Sequence, residues 1–173
     1  MDQEAQWMAV NNYLQNKQQL KVLLLGAYKP PKALNRLQKL QVCMIGKGFA
    51  STMLAKNFPD ATRYSEDLDE HYTMKSRTLI SNWADVPIFV FYKKADNQGV
   101  ASEITYTCGN LSDKLSCSAV FFEGSLQNFS SQVKGSIKIA KKVSYEIFKN
   151  DEELCNLAYG HSKKIFDRLF YYL

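Results

Sequence analysis

Residues 85–92 of this chain read DVPIFVFY, and residues 96–104 read DNQGVASEI. The first stretch is an acidic residue followed by an apolar run of strand length, which predicts a strand that is buried on both faces. The second is a polar loop with Gly99, followed by a segment that can begin a helix with Glu103 near its first turn. A strand, a loop and a helix in this order place a reactive side chain at the carboxyl end of a strand. Ligands bind at that edge in open α/β sheets.

Apolar runs and amphipathic segments alternate along the rest of the chain. The runs predict strands at residues 21–25, 41–45, 86–92 and 116–122, with a weaker strand at 61–64. Helices are expected between them, including residues 49–58, a long region from Ser65 and residues 99–110. Strands that alternate with helices predict an α/β fold, a doubly wound and mostly parallel sheet of about five strands with helices on both faces.

The 173 residues are expected to form a single domain. Residues 1–18 predict an amphipathic N-terminal helix, residues 20–123 the α/β core, and residues 136–173 an edge strand and a closing helix. Residues 136–148 fit strand alternation, with the Ile, Val and Tyr parity buried and the lysine parity exposed, but they also fit helical spacing. The β-branched and aromatic residues favour the strand. Asn150 and Glu153 then resemble a capping box that begins the closing helix.

Composition narrows the class of protein. Hydrophobic content of 46% and a formal charge of +5 indicate a globular domain with a mild basic excess. The four cysteines form no CxxC pair, the chain opens with acidic and polar residues, and no apolar run is long enough for a bilayer. We therefore expect a cytoplasmic protein with reduced thiols and no membrane partner.

The basic residues and histidines predict no further ligand. The two histidines are far apart in sequence and predict neither a metal site nor a cofactor. The lysines of residues 134–149 indicate a sheet edge protected by lysine side chains rather than a nucleic-acid surface.

Three loops should meet at the carboxyl edge of the sheet, namely residues 26–32, 65–69 and 96–103, because connections after parallel strands emerge on the same side. Glu103 near a helix start should feel the positive end of the helix dipole, which favours its ionised form. An ionised carboxylate beside a ligand can act as nucleophile or general base. The alternative is that Glu103 is only a favourable charge in the first turn of a helix.

The arrangement resembles the nucleoside 2-deoxyribosyltransferase-like superfamily over roughly residues 20–123. Residues 25–28 (LGAY) stand where that family has its first loop, residues 84–86 (ADV) introduce the central strand, and residues 98–103 (QGVASE) match the nucleophile loop. The resemblance implies that Glu103 is the catalytic nucleophile and that Gly26, Gly99 and Ser102 belong to the loops around a nucleoside. It also implies an upstream aspartate that reads the base, for which Asp67 and Asp69 are candidates.

The same resemblance implies a nucleoside or nucleotide as the small-molecule partner, and N-glycosidase or deoxyribosyltransferase-like chemistry. Asp67, Asp69 or Asp96 could then protonate the departing base. Tyr28 could hydrogen-bond the carboxylate or the sugar, or only pack, and Lys29 could contact a 5′-phosphate or remain solvated. The alternative function is a non-catalytic interaction or scaffold module, in which the Tyr- and Phe-rich C-terminal end forms a partner surface or that of a homodimer.

Overall fold

The computed structural model of the chain describes residues 3–59, 64–139 and 143–171. The strands are β1 (Val22–Gly26), β2 (Thr52–Leu54), β3 (Val86–Phe91), β4 (Ala119–Glu123) and β5 (Ser144–Phe148). The helices are α1 (Gln3–Gln19), α2 (Pro31–Gly46), α3 (Leu68–Asn82), α4 (Gln98–Asn110), α5 (Ser112–Leu115), α6 (Ser131–Ile139) and α7 (Asp151–Phe170). Single turns of 3-10 helix occupy Ala55–Asn57 and Leu126–Asn128.

The five strands form one parallel sheet in the order β2-β1-β3-β4-β5. This architecture confirms the predicted doubly wound α/β fold. The chain starts at β1, moves outward to β2, and then crosses back over β1 to add β3 and the remaining strands on the other side. The loops after β1 and β3 therefore leave in opposite directions and open a crevice between them, which is where ligands bind in sheets of this order.

Side chains alternate across the sheet and build two separate cores. Leu24, Val90 and Phe121 face the layer that contains α2 and α7, with Tyr13 of α1 packed against it. Leu25, Phe91 and Phe122 face the opposite layer of α3, α4 and α6. Because the central strands are buried on both faces, they are continuous apolar runs rather than alternating ones, as residues 86–92 predicted.

Two predictions about residues 41–58 are wrong. Residues 41–45 are not a strand but the last turns of α2, and residues 49–58 contain β2 and a 3-10 turn rather than a helix. The buried residues of α2 recur with a helical period, and its last core residue is Met44. The apparent apolar run of residues 41–45 also contains Val42, which the helix turns out to solvent. A five-residue window was too short to separate the two periods.

Residues 136–148 are partly helix and partly strand. Helix α6 extends to Ile139 and β5 begins at Ser144, while residues 140–142 lie outside the described part of the chain, as does most of the weak strand expected at 61–64. The edge position of the strand is confirmed, but its burial is not as predicted: Tyr145 and Ile147 are 50% and 46% exposed, whereas Phe148 is fully buried. The prediction assumed one alternation of buried and exposed side chains over residues 136–148. Such an alternation holds only within a strand, and residues 136–139 belong to helix α6. The predicted N-cap is confirmed, because the Asn150 side chain accepts from the Glu153 N–H at 2.8 Å. The Glu153 side chain accepts from the Lys149 N–H, one residue before the N-cap, so the arrangement is a variant of the capping box.

The prediction of reduced thiols is wrong for two of the four cysteines. Cys43 in α2 and Cys155 in α7 form a disulfide with a Cα–Cα distance of 6.3 Å, whereas Cys108 and Cys117 are free. The two partners are 112 residues apart, so only the packing of α2 on α7 brings them together. Within residues 3–59, 64–139 and 143–171, no helix combines the length and the apolar character needed to cross a membrane.

Candidate functional site

The crevice between β1 and β3 is bounded by two loops that are bonded to each other. The Asp96 N–H donates to the Lys29 carbonyl at 2.9 Å, which ties the loop after β3 to the loop after β1. The buried Asn97 side chain fixes the second loop: it accepts from the Tyr92 N–H at 3.2 Å and donates to the carbonyls of Tyr92 and Ala95. The side chain of Asp96 accepts from the Gln98 N–H at 3.2 Å and so begins α4. The side chains of Asp96 and Asn97 therefore fix the conformation of the loop after β3 by bonding to nearby backbone groups.

Glu103 lies in the second turn of α4, where the helix packs against α3. The residue is partly accessible to solvent, its carboxyl group is densely surrounded by protein, and the Ser76 hydroxyl of α3 donates a hydrogen bond to it. Burial raises the pKa of Glu103 from 4.5 to about 7, against the lowering effects of the Ser76 hydrogen bond and the nearby Arg77 guanidinium. The helix dipole, which is expected to favour the ionised form of Glu103, acts mainly within the first turn, whereas α4 begins at Gln98 and Glu103 lies in its second turn.

Tyr28 of the loop after β1 lies within electrostatic reach of Glu103. Burial raises the pKa of the Tyr28 phenol, and the Glu103 carboxylate raises it further. The Tyr28 oxygen accepts from the Lys56 N–H at 3.3 Å, which leaves its own proton free to be donated. A neutral phenol from the loop after β1 and a carboxyl of raised pKa from α4 therefore influence each other electrostatically.

Arg77 connects Glu103 to a groove between α4 and α6. Its Nη2 donates to the Ser102 hydroxyl at 3.3 Å, and its guanidinium lies 4.7 Å from the centre of the Tyr106 ring. The groove has a volume of about 570 Å³ and is lined by hydroxyl and amide side chains, among them Thr105, whose hydroxyl donates to Ser136 at 2.9 Å. Ser102, which the resemblance assigned to the nucleophile loop, is thus turned towards Arg77.

Asp67 and Asp69 lie at the beginning of α3 and are not brought to Glu103. Asp67 is the N-cap of the helix and accepts from the Glu70 N–H at 2.8 Å, while Asp69 is exposed in the first turn. Ser76, which contacts Glu103, comes about 10–14 Å farther along the same helix at 1.5 Å per residue. Lys29 is exposed and joins the site through its backbone carbonyl.

The two predicted glycines have different surroundings. A Cβ on Gly26 would lie 3.2 Å from the Leu37 side chain and from the Val90 carbonyl, so this glycine lets α2 pack closely on the end of β1. A Cβ on Gly99 would meet nothing within 4 Å, so the space beside Gly99 is open. Of the two, only Gly99 borders free volume at the carboxyl edge.

The structure adds Ser76, Arg77 and Asn97 to the residues that the sequence indicated. Asn97 stands in a polar loop after a strand, where a side chain that bonds its own backbone is common, and this signal could have identified it. Nothing in the local sequence marks Ser76 and Arg77, because their role depends on how α3 packs against α4. Among the described residues, no group of three or more His, Cys, Asp or Glu side chains could hold a metal ion.

Comparison with protein-family models, with curated proteins and with solved structures finds no match to this chain.

Proposed function

We propose that the crevice between β1 and β3 binds a nucleoside or nucleotide and that Glu103 supports cleavage of its N-glycosidic bond. One observation carries the proposal. A partly accessible carboxyl group with a pKa raised to about 7, hydrogen-bonded by Ser76 and within electrostatic reach of the neutral Tyr28 phenol, lies in α4, the helix that follows β3 where the strand order reverses. Carboxyl groups with such perturbed pKa values concentrate at functional sites.

The chemistry follows from the charge that develops during the reaction. Breaking the bond between C1′ and the base nitrogen makes the ribose ring cationic, and a carboxylate beneath C1′ stabilises that charge either electrostatically or by forming a covalent bond. With a pKa of about 7, Glu103 is partly ionised at neutral pH, and the Ser76 hydrogen bond and Arg77 both favour its ionised form. Tyr28 can donate its proton to the carboxylate or to a sugar oxygen.

A second acid must protonate the departing base. Of the three aspartates that the sequence suggested, Asp96 is the one in the loop at the strand-order reversal, where its backbone bonds the Lys29 carbonyl. Asp67 and Asp69 lie at the far end of α3. We therefore assign the acid role in this proposal to Asp96, and the neighbouring Lys29 could contact a 5′-phosphate if the substrate is a nucleotide.

The test is release of free base from a panel of nucleosides, nucleotides and NAD, separated by chromatography. Glu103→Gln keeps the shape of the side chain and removes its charge, so base release should fall on the order of a hundredfold or more. Glu152→Gln is the matched control, because it makes the same change at an exposed glutamate in the first turn of α7. It should leave the rate unchanged. Wild-type activity should rise with pH through about 7, since the ionised carboxylate is the active form.

Thermal-shift measurements with the same compounds separate binding from turnover, because a bound ligand raises the melting temperature by mass action. Base release that survives Glu103→Gln would contradict the role of Glu103. A wild-type protein that neither binds nor cleaves any compound of the panel would contradict the function itself.

A second candidate function, a non-catalytic interaction module, is favoured by the way that Ser76 and Arg77 of α3 enclose the Glu103 carboxyl. In that case Glu103 stabilises the contact between α3 and α4, and the binding surface lies elsewhere. The end of α7 exposes three adjacent apolar side chains, Leu169, Phe170 and Tyr171, that would suit a partner or a homodimer. Sedimentation of the wild-type protein and of Phe170→Ser tests the homodimer, which predicts a dimer only for the wild type.

A further inference from the structure

The Cys43–Cys155 disulfide lines a groove on the opposite helix layer from Glu103. The groove has a volume of about 410 Å³ and runs along the seam between α2 and α7. Both cysteines line it, and so do Lys39 and Lys47. The two sulfur-bearing residues are not equally accessible, because Cys43 is partly exposed whereas Cys155 is only 3% exposed.

We propose that this disulfide is a reversible redox site, opened by attack of an external thiolate on the Cys43 sulfur. Attack needs an approach to one sulfur, and the groove supplies it at Cys43. The groove is also lined by Asp151, which Arg36 pairs, and by Glu152, so Lys39 and Lys47 leave an excess of one positive charge beside this approach. Positive charge attracts anionic thiols and stabilises thiolates. The reductant is therefore a thiol that carries negative charge, either a small one or an acidic site on a dithiol protein.

The exchange balances with the external thiol as its only co-reductant. The incoming thiolate forms a bond to the Cys43 sulfur, the Cys43–Cys155 bond breaks, and Cys155 leaves as a thiolate that takes a proton from water. A second thiolate of the reductant then attacks the reductant sulfur of the mixed disulfide. Cys43 leaves as a thiolate and takes a proton from water. Two electrons pass from the reductant, which becomes a disulfide, to the two protein sulfurs.

Contacts on both sides of the disulfide are expected to hold the seam closed after reduction. Arg36 pairs with Asp151 at 2.7 Å on one side, and Lys47 donates to Asn156 at 3.3 Å on the other. Reduction should therefore leave the fold intact and remove only the constraint of a cross-link between residues 112 apart in sequence. Such a cross-link stabilises mainly by restricting the unfolded chain. We expect the melting temperature of the reduced protein to fall by about 5–15 °C and to recover on reoxidation.

The direction of attack is tested on the whole 173-residue chain with two single variants. Cys155→Ser leaves only Cys43 of the pair, and Cys43→Ser leaves only Cys155. We expect oxidised glutathione, which is anionic, to form a mixed disulfide with Cys43 about tenfold or more faster than with Cys155, measured by mass spectrometry of peptides. Lys39→Gln with Lys47→Gln, in the Cys155→Ser background, should slow this reaction several-fold. The same lysine changes should leave the reaction with a neutral disulfide such as oxidised 2-mercaptoethanol nearly unchanged.

A measurement on the wild-type protein keeps the proposal falsifiable if either cysteine variant fails to fold. Glutathione is added to the air-oxidised protein, the reaction is stopped with an alkylating reagent, and the mixed disulfide is mapped. Glutathione on Cys43 supports the proposal. Glutathione on Cys155, equal reaction at both sulfurs, or a pair that stays reduced after air oxidation would overturn it.

Discussion

Glu123 and Glu103 are two glutamates near the same edge of the sheet, on opposite faces, and they differ in what surrounds them. Glu123 at the end of β4 accepts from Arg36 at 3.0 Å and from the Lys93 N–H at 2.8 Å, and Arg36 also pairs with Asp151. Glu103 in α4 has a hydroxyl donor, Ser76, and only the more distant influence of Arg77. The first carboxylate is paired with a guanidinium cation, whereas burial raises the pKa of the second to about 7. The comparison separates a carboxylate that holds the fold from one that is available for proton chemistry.

The largest effect is expected where the paired cluster is broken. Arg36 bridges Glu123 and Asp151, and its guanidinium lies 4.4 Å from the centre of the Tyr92 ring. Arg36→Met keeps much of the side-chain volume but leaves the partly buried Glu123 without its cation, so the free energy of unfolding should fall by about 2–4 kcal/mol. Urea unfolding at pH 7 measures the loss.

The control for Arg36 is a surface ion pair of the same charge type. Lys163 and Asp167 pair across one turn of α7 in a solvated setting. Lys163→Met should change stability little, because solvated pairs are screened and hold two mobile side chains. Equal losses of unfolding free energy in Arg36→Met and Lys163→Met would show that the Arg36 cluster stabilises the fold no more than a surface pair does. Glu123 would then not differ from Glu103 as a structural carboxylate.

The second effect concerns Glu103 and pH. In the unfolded chain Glu103 should ionise at its ordinary pKa of 4.5, and in the folded protein only at about 7. Between these values the unfolded state binds fewer protons, so the contribution of Glu103 to stability falls as the pH rises from about 4.5 to about 7. Glu103→Gln removes this dependence. The variant should be more stable than the wild type by about 1–3 kcal/mol at pH 8 and should have no such advantage at pH 4.

The measurement is the free energy of unfolding at several pH values, for Glu103→Gln, for Glu152→Gln and for the wild type. Glu152 is exposed, so its variant should follow the wild-type profile. A Glu103→Gln profile parallel to that of the wild type would mean that Glu103 has the same pKa in the folded and unfolded states. The raised pKa, and with it the contrast with Glu123, would then be contradicted.

The third effect is smaller and concerns the hydroxyl that supports Glu103. Ser76→Ala removes a hydrogen bond to the carboxylate, which should raise the Glu103 pKa further and cost about 1 kcal/mol at pH 8, where the carboxylate is charged. Ser81→Ala is the control on the same helix, because Ser81 donates to the Arg77 carbonyl and not to a carboxylate. In Ser76→Ala the fall of stability with rising pH should extend to a higher pH than in the wild type. In Ser81→Ala it should end at the same pH as in the wild type. A shift in both variants would indicate a change in α3 rather than in the hydrogen bond.

The sequence predicted the parts of this molecule that depend on local pattern. The apolar runs of β1, β3 and β4 were long enough to identify, and the parallel order places the loops that follow β1 and β3 at one edge of the sheet. Residues 41–45 failed because a short window of α2 imitates a strand. The partners of Glu103 and the Cys43–Cys155 disulfide could not be predicted, because each joins elements far apart in sequence through helix packing. The pKa of Glu103 depended on that same packing and so was also missed.

The smallest expected effect distinguishes the two tyrosines that accompany the two glutamates. The Tyr92 hydroxyl is buried beside Arg36 and has no hydrogen-bond partner among the described residues, whereas the Tyr28 oxygen accepts from the Lys56 N–H. A buried hydroxyl without a partner costs free energy, so Tyr92→Phe should stabilise the protein by about 0.5–1 kcal/mol while it keeps the ring beneath Arg36 and against Phe148. Tyr28→Phe loses an acceptor and should destabilise by a similar amount. Thermal and urea unfolding of both variants give the two signs. Loss of stability in Tyr92→Phe would instead reveal a bound water or another partner for its hydroxyl, and the cluster around Arg36 would then not be closed to solvent.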